Sequence, residues 1–506
     1  MYATAESRTW KFMKAVAVKE HVTSLNFVAF ILASGLAICM FVFLSSTQGF
    51  VLNQILHIDL AVIGNISGNL TLFDECISLI MVSVWGVCSD RWGRRGIYGA
   101  GFVLMGVGLA LYPFATALSP YLIVYRGIFA IGGAATSSML TAVLADYSSE
   151  KDRGKVSGMV GLMSGVGALL AVFVFLRLPA KYVDQVHGLR FTYSVVAGIC
   201  AVFGAFLFLA LRPKLLTDPV TMTLIPSADN SSAAETNAST AHAAQPVDRS
   251  KSVSFWSGLR AGIAAAKHGK VLLGYIGSFL ARGNTIIITI YLPLWVYKYF
   301  VDNKLCASAN ADSDTIKTDC RDAYIRASVL SGVAQTAAML AAPLFGYLGD
   351  KLYRPLVVLL ATVLGLASYL WLFLCTDPLA SVMFVVVVLV GVGEMAIVVS
   401  SLSVVTSKAI PTHLRGSISG AYSFSGTIGI MVASKLGGYL FDVWQPTAPF
   451  FVMAVGNLVA VVVAVVVLYR DFVAVKAKDP NAAQGWGGLH RALMHHQNTL
   501  DELRLE

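Results

Sequence analysis

Twelve long apolar segments constrain the fold of this chain more than any other feature. Each can form a helix of about 20 residues, which at a rise of 1.5 Å per residue crosses the hydrocarbon core of a bilayer. Only 13% of the residues are charged, about half of the roughly 25% typical of soluble proteins, and no ten-residue alternating pattern indicates strands. The sequence therefore predicts an all-α polytopic membrane protein with 12 transmembrane helices, near residues 25–47, 62–89, 96–117, 120–146, 154–177, 191–212, 270–299, 323–349, 354–375, 379–407, 416–441 and 447–470.

A short charged turn occurs twice and indicates an internal duplication. It lies between spans two and three and again between spans eight and nine, and such a charged turn belongs at a water interface. The two copies correspond at a constant offset of 260 residues: Gly86, Asp90 and Arg94 match Gly346, Asp350 and Arg354. A second set of glycines repeats at an offset of 262: Gly154, Gly158 and Gly167 match Gly416, Gly420 and Gly429. The sequence thus predicts two pseudo-symmetric six-helix bundles.

The spacing within the first turn predicts a contact between two helices. Asp90 follows Gly86 by one helical turn, so a neighbouring helix can approach the glycine while the carboxylate reaches that helix's N-terminus. We expect this N-terminus to be that of span eleven, near Gly416. The contact would act as a latch at the inner ends of the two halves when the molecule faces outward.

Lys and Arg residues set the expected orientation. Of the 37 such residues, 26 fall on one set of loops and tails, eight on the other and three within spans; the rich side is expected to be cytoplasmic. The formal charge of +9 is therefore assigned to the inner loops, and no nucleic-acid partner is expected. The predicted organisation is a cytoplasmic N-tail (1–24), an N-terminal six-helix bundle (25–212), a cytoplasmic linker (213–269), a C-terminal six-helix bundle (270–470) and a cytoplasmic C-tail (471–506).

Two further segments have weak amphipathic periodicity. One is at the end of the linker, from Ser254 to Arg260, and the other is in the C-tail, from Leu489 to Leu505. Both are expected to be short helices on the inner membrane surface.

The repeated turn and its surroundings resemble the major facilitator superfamily. The resemblance covers nearly the whole chain and rests on Gly86-x-x-x-Asp90-Arg91-x-Gly93-Arg94-Arg95, with its echo at 346–354, and on Leu122-x-x-x-Arg126 in the fourth span. It implies that the halves rock around a central site, and that Asp146 pairs with the loop arginine Arg94. The residues assigned to the conformational latch are Gly86, Asp90, Arg91, Arg94, Asp146, Gly346, Asp350 and Arg354. The second copy is expected to be the weaker one, because Lys408 stands at the position that matches Asp146.

Two subgroup signatures of the resembled family are missing. Drug–proton antiporters carry a Gly-Pro-x-x-Gly-Gly ending in helix five, whereas this chain has 165–170 without proline or paired glycines. Sugar porters carry a glutamine motif in helix seven, where this chain has Phe279 to Asn284. Neither drug export nor hexose transport is therefore the preferred interpretation.

The candidate substrate and coupling residues are charged or polar groups inside the predicted spans. A charge at the bilayer centre costs about 2.5–3.5 kcal/mol, so each needs a partner or a water-filled cavity. Three acids and three bases permit complete pairing. The candidates are Asp74, Glu75, Arg126, Arg282, Asn284, Glu394 and Lys435.

These candidates have different expected roles. The resemblance places helices 1, 4, 7 and 10 around the cavity, which favours Arg126, Arg282 and Glu394 as lining residues. Glu394 is the leading proton-binding candidate, although a structural ion pair explains it equally well. Asp74 and Glu75 are the reserve candidates, and Lys435 has the alternative of extending to the outer surface.

The remaining signals bound the function. The histidines show no metal-ligand spacing and no catalytic nucleophile is evident, so neither a metal site nor an enzyme is expected. Cys306 and Cys320 share the predicted outer loop between spans seven and eight and are candidates for a disulfide.

The sequence favours a secondary active transporter of a small organic solute, in particular an organic anion or carboxylate. We expect alternating access with the proton as coupling ion, no other cofactor, and a monomer in a plasma or organelle membrane. The alternatives are a non-transporting sensor or receptor of the same fold, a facilitative sugar-like carrier, a drug-efflux carrier and, as a distant third class, a membrane enzyme.

Overall fold

The computed structural model describes residues 22–147, 153–182, 184–211, 255–306, 320–405 and 415–478. The described chain is helical, which confirms the expected all-α fold. The helices are α1 (Ser24–Phe50), α2 (Ile63–Trp92), α3 (Arg94–Leu111), α4 (Ile123–Tyr147), α5 (Arg153–Leu170), α6 (Gln185–Ala210), α7 (Phe255–Ala264), α8 (Gly269–Ile286), α9 (Leu292–Asp302), α10 (Arg321–Lys351), α11 (Arg354–Leu374), α12 (Val382–Val405), α13 (Arg415–Val443) and α14 (Ala448–Lys478).

Four wider π-helical turns extend these helices. They lie at Val51–Ile55 after α1, Leu118–Leu122 before α4, Ala171–Phe175 after α5 and Ile287–Tyr291 between α8 and α9. The last turn makes α8 and α9 one continuous span, Gly269–Asp302. Such turns interrupt the regular hydrogen-bond ladder and often occur at functional positions.

Within the described residues, eleven helical segments are long and apolar enough to cross a membrane. The twelfth expected span is α13, a helix of 29 residues that does not reach the same apolarity because it is rich in glycine and serine. Helix α13 packs against α2, α7, α8 and α14. Small residues suit a helix enclosed by other helices, because they allow close backbone approach.

The helix contacts repeat between the two halves of the chain. In the N-half (α1–α6), α1 packs on α5, α2 on α4, and α3 on both α4 and α6. In the C-half (α8–α14), α8 packs on α13, α10 on α12, and α11 on both α12 and α14. The correspondence extends to single glycines, since Gly167 lies directly against the carbonyl of Gly35 and Gly429 against that of Phe279. A side chain at either glycine would overlap the facing backbone.

Helix α7 forms at the end of the linker, where the sequence predicted a short amphipathic helix from Ser254 to Arg260. Gly262 lies against the carbonyl oxygen of Ser417 on α13, and the Tyr275 hydroxyl donates a 2.7 Å hydrogen bond to the Gly262 carbonyl. The linker therefore enters the C-half through a helix packed on α13. The C-tail segment near 489–505 lies outside the described residues.

A disulfide joins Cys306, just after α9, to Cys320, just before α10. It closes the connection between spans seven and eight of the sequence interpretation. We call the face carrying this loop the outer face and the face carrying the turn at 90–94 the inner face, as the Lys and Arg asymmetry predicts.

Candidate substrate and coupling site

Arg126 is bound inside the N-half by a carboxylate from the neighbouring helix. Its Nε and Nη2 atoms lie 2.8 Å and 2.7 Å from Asp74 Oδ2, and its Nη1 donates a 3.2 Å hydrogen bond to the Tyr112 hydroxyl. Arg126 is only 1% exposed. The guanidinium is therefore the partner of Asp74, which is one of the acid–base pairings that the sequence had left open.

Two tyrosines carry this network on towards α6 and α1. The ring of Tyr112 stacks on Tyr193 at 5.6 Å between centroids, and the Tyr193 hydroxyl lies 2.7 Å from Thr47 Oγ1. These three residues were not among the sequence candidates. A lone tyrosine or threonine in an apolar span is too common to single out, and only packing shows that they meet.

Glu394 lies inside the C-half, on α12. It is 5% exposed, and its Oε1 atom accepts a 2.7 Å hydrogen bond from Thr285 on α8. Its Oε2 atom is buried without a hydrogen-bond partner, and so is the hydroxyl of Tyr369 nearby. Among the described residues no cationic group pairs with this carboxyl, and burial of a charged group without such a partner is unfavourable.

Glu75 and Arg282 belong to different halves and lie near each other. Glu75 on α2 is partly exposed and Arg282 on α8 is exposed, and the two side chains are close enough to interact electrostatically. Neither forms a salt bridge or a side-chain hydrogen bond with a described residue. Because Arg282 lies in the middle of its span and near Glu75 of the other half, its exposed guanidinium lies between the halves.

Lys435 and Asn284 have less direct roles. The Lys435 ammonium donates hydrogen bonds to Asn65 Oδ1 (3.0 Å) and Asn69 Oδ1 (2.6 Å) on α2. Asn284 is fully buried, and both polar atoms of its amide are without a partner. The sequence permitted complete pairing of three acids with three bases inside the spans. Of these six residues, Asp74 and Arg126 form a direct ion pair in the structure, and the other four form none with a described residue.

The outer ends of α2 and α13 are held together by a carboxylate at a helix N-terminus. The Oδ1 and Oδ2 atoms of Asp442 accept hydrogen bonds from the backbone N–H groups of Gly64 (2.9 Å) and Asn65 (2.6 Å), the first turn of α2. Gly68 lies directly against the carbonyl of Ser434 in the same interface. A negative charge at this position is stabilised by the helix dipole and by two otherwise unpaired donors.

Two other interfaces close the outer side. Tyr297 donates to Asn53 (2.7 Å) between α9 and the end of α1. The Ser328 hydroxyl on α10 donates to the Val172 carbonyl (2.7 Å) after α5, and Arg177 Nε donates to the same hydroxyl (2.8 Å). Contacts of α1, α2 and α5 with the C-half therefore join the halves at the outer face.

The inner face has open space where the outer face is packed. An added Cβ at Gly86 or Gly420 would meet no described atom within 4 Å, and the same holds for Gly346 in the second copy of the turn. Among the described residues, the contacts between the halves given above lie at the outer face, and the Gly86 surface lacks the contact that the latch requires.

Some of the latch residues nevertheless form polar contacts within their own half. Arg94 Nε lies 3.1 Å from Asp146 Oδ2, and its Nη1 donates to Ser89 (2.5 Å). In the second copy, Arg354 Nη1 donates to the Ser403 carbonyl (2.6 Å). Arg91 is exposed. The side chains of Asp90 and Asp350, and the surroundings of Gly416, lie outside the described residues, so the latch itself stays a prediction.

Two magnetosome proteins match most of the chain, and a transporter named for staphyloferrin B matches part of it. The magnetosome protein MamH of Paramagnetospirillum magneticum is 26% identical over 457 residues, which cover 88% of this chain and 92% of MamH. MamZ of the same organism is 23% identical over 427 residues, but the match spans 59% of its length. The Staphyloferrin B transporter of Staphylococcus aureus is 32% identical over 174 residues, covering 33% of this chain and 40% of that protein.

Solved transporter structures share the fold. The nucleoside transporter NupG superposes with a TM-score of 0.60 at 14% identity, covering 88% of this chain and 99% of NupG. The inward-open xylose transporter XylE from E. coli gives a TM-score of 0.59 at 15% identity, covering 87% and 94%. The sequence model of the Major Facilitator Superfamily matches residues 25–309 and 275–498. Because these matches extend over most of the described helices, the chain belongs to the Major Facilitator Superfamily.

Proposed function

We propose that the protein is a secondary active transporter that carries a small carboxylate-bearing organic solute by alternating access, coupled to protons. One observation carries the proposal: Glu75 and Arg282 lie in mid-membrane between the halves and form no ion pair with a described residue. Among the described residues, the halves are in contact at the outer face and separated at the inner face. A solute entering from the inner side would meet these charges before it reached the packed outer interface.

Arg282 is the proposed receptor for the carboxylate of the solute. It is exposed between the halves, whereas Arg126 is already occupied by Asp74. A planar guanidinium binds a carboxylate with two parallel hydrogen bonds, which gives orientation as well as affinity. The carboxylate would replace the water around Arg282.

Glu394 is the proposed coupling group. Its carboxyl is buried, has one hydrogen bond from Thr285 and has one oxygen without a partner. Thr285 is on α8, the helix that also carries Arg282. Movement of α8 during substrate binding would therefore change the surroundings of Glu394, which is the requirement for linking proton binding to transport.

The test is transport in proteoliposomes, using a solute identified by a thermal-shift screen of the purified protein against metabolites. In Glu394→Gln, accumulation driven by a pH gradient should be lost, while exchange of labelled for unlabelled solute across a symmetric membrane should persist. Asp74→Asn and Glu75→Gln serve as the comparison variants. Retained pH-driven accumulation in Glu394→Gln would exclude Glu394, and its retention in all three would exclude a proton carried by these acids.

The same preparation separates a carrier from a sensor. A non-transporting receptor would be stabilised by the solute but would show neither uptake nor exchange. Substrate-dependent exchange by the wild type is the expected result, and binding without any exchange would overturn the transport proposal.

A further inference from the structure

Two opposite charges from different halves lie in mid-membrane without being paired. Glu75 belongs to α2 of the N-half and Arg282 to α8 of the C-half. Glu75 is partly exposed and Arg282 is exposed, and the two are close enough to interact electrostatically. Among the described residues, however, neither forms a salt bridge or a side-chain hydrogen bond. The gap between them is therefore a place for a ligand that contacts both halves.

The backbone contacts between α2 and α13 put these two side chains at the same depth. The helices run antiparallel, with Gly64 against Gly438 and Gly68 against Ser434. Continuing this register along α2 brings Glu75 level with residue 427 of α13. Arg282 Cγ lies 2.8 Å from the position of an added Cβ at Gly426, which is one residue away.

Glu75 also lies on the correct face of α2. Residues 64, 68 and 75 are spaced by four and seven, so they share one side of the helix. That side is the one that touches α13 at the outer end. Where the halves separate towards the inner face, the same stripe lines the space between them.

The other mid-membrane charges do not compensate an added charge at this gap. Asp74 and Arg126 neutralise each other, Lys435 is hydrogen-bonded to two asparagines nearer the outer end, and Glu394 is enclosed in the C-half. The fixed charges at the gap are thus one negative and one positive. A solute with only a carboxylate would satisfy Arg282 but leave Glu75 facing an additional negative charge.

We propose that the transported solute is a small zwitterion, with its carboxylate on Arg282 and its cationic amino group on Glu75. This rests on the proposed function, because it takes Arg282 as the carboxylate receptor. A zwitterion leaves the net charge of the site unchanged. It also ties α2 to α8, so its binding favours closure of the halves around it.

The test uses sets of three compounds that differ only in charge. Each set contains an amino acid, the carboxylate without its amino group and the amine without its carboxyl group: leucine, 4-methylpentanoate and 3-methylbutylamine; phenylalanine, 3-phenylpropanoate and 2-phenylethylamine; γ-aminobutyrate, butyrate and propylamine. Binding to the purified full-length protein is measured by thermal stabilisation and titration calorimetry. The variants are Glu75→Gln and Arg282→Gln, with Cys76→Ser as control because Cys76 is the exposed, uncharged neighbour of Glu75.

In at least one set, the wild type and Cys76→Ser should bind the zwitterion at least about tenfold more tightly than either analogue, since each analogue leaves one charged side chain without a partner. Glu75→Gln should bring the carboxylate to within about threefold of the zwitterion, because the group that disfavoured it is gone. Arg282→Gln should weaken both.

Wild-type protein that binds the carboxylate as tightly as the zwitterion, with both lost in Arg282→Gln, would overturn this inference and leave the carboxylate transport proposal standing. Wild-type protein that no zwitterion stabilises would overturn the inference as well. The transport proposal fails separately, by absence of exchange in proteoliposomes.

Discussion

At the scale of single residues, the ion pair between Asp74 and Arg126 is the feature with the clearest energetic consequence. Arg126 is 1% exposed, and its guanidinium donates hydrogen bonds to one carboxylate oxygen of Asp74 and to the hydroxyl of Tyr112. A buried pair of this kind adds little net stability relative to apolar residues, but removal of one partner leaves an uncompensated charge. The two arginines of the site are therefore not equivalent: Arg126 supports the N-half, and Arg282 faces the solute.

Arg126→Gln should lower the free energy of unfolding of the purified protein by about 3–5 kcal/mol, because Asp74 is left charged and unpaired. Asp74→Asn combined with Arg126→Gln should recover much of this loss. Tyr112→Phe is the matched control, since it removes one hydrogen bond worth about 1 kcal/mol. Thermal unfolding in detergent measures the differences, and a double variant no more stable than Arg126→Gln would contradict this role.

Sequence reasoning identified the charged residues but not their partners. Arg126 stood out because it combines a recognisable motif with a charge in mid-span. Its choice of Asp74 over the adjacent Glu75 could not be predicted, because neighbouring residues on a helix point about 100° apart and the rotation of α2 is fixed only by packing. A count of charges could likewise not show that Glu394 has no cationic partner among the described residues.

At the scale of elements, α2 carries the contacts that distinguish the two faces. Near its outer end, Gly68 lies against the Ser434 carbonyl, whereas near its inner end Gly86 faces open space. Because one glycine is in contact and the other is not, the same substitution is expected to have opposite consequences at the two positions, although both lie on α2. Alanine also favours the helix over glycine at each of them.

Gly68→Ala should hinder closure of the outer face, since its Cβ would overlap the Ser434 backbone, and should favour the outward-open state. Gly86→Ala should be accommodated in the inward-open state and hinder closure of the inner face. Labelling of engineered cysteines at the outer and inner ends of the halves measures the two populations. Equal labelling patterns in the two variants would show that these glycines do not set the closed interfaces.

Asp442→Asn should weaken the outer closure, because the amide loses the charge that the α2 N-terminus stabilises. The expected loss is about 1–2 kcal/mol, which shifts the equilibrium towards the outward-open state about five- to thirtyfold. Asp184→Asn is the matched control: Asp184 accepts from the Val186 and His187 N–H groups at the start of α6, within one half. The same shift in both variants would contradict a specific role for Asp442.

The helices themselves were largely predictable. Their long apolar runs predicted the helices that the structure has, eleven of which are long and apolar enough to cross a membrane, and the larger deviations at the helix ends have local causes. Helix α6 begins at Gln185, six residues before the expected start, because Asp184 caps it. Helix α14 continues to Lys478 beyond the apolar segment, since residues outside the bilayer can remain helical in water.

At the scale of the whole molecule, the duplication visible in the sequence reappears as matching helix contacts in the two halves. The state of the molecule could not be predicted in the same way. The sequence contains both the outer contacts, such as Asp442 with α2, and the inner motif around Gly86 and Asp90, and it does not rank their free energies. Switching between two closed interfaces requires them to be of similar strength.

The two copies of the turn should differ in importance. Asp90→Asn should impair transport far more than Asp350→Asn without loss of folding, because Arg94 of the first copy is paired with Asp146, whereas Lys408 stands at the position of the second copy that matches Asp146. Initial uptake rates and thermal unfolding of both variants measure this difference. Equal uptake by Asp90→Asn and the wild type would remove the latch from the mechanism.

The most direct test of alternating access is a pair of distance measurements on one protein in proteoliposomes. Double electron–electron resonance between spin labels at Val62 and Val443 reports the outer ends of α2 and α13, and between labels at Trp92 and Ser419 the inner ends; all four positions are exposed. Without solute, the outer pair should be short and the inner pair long. Solute and pH should redistribute the two distances in opposite directions, and outer and inner distances that stayed fixed, or changed in the same direction while solute crossed the membrane, would contradict alternating access.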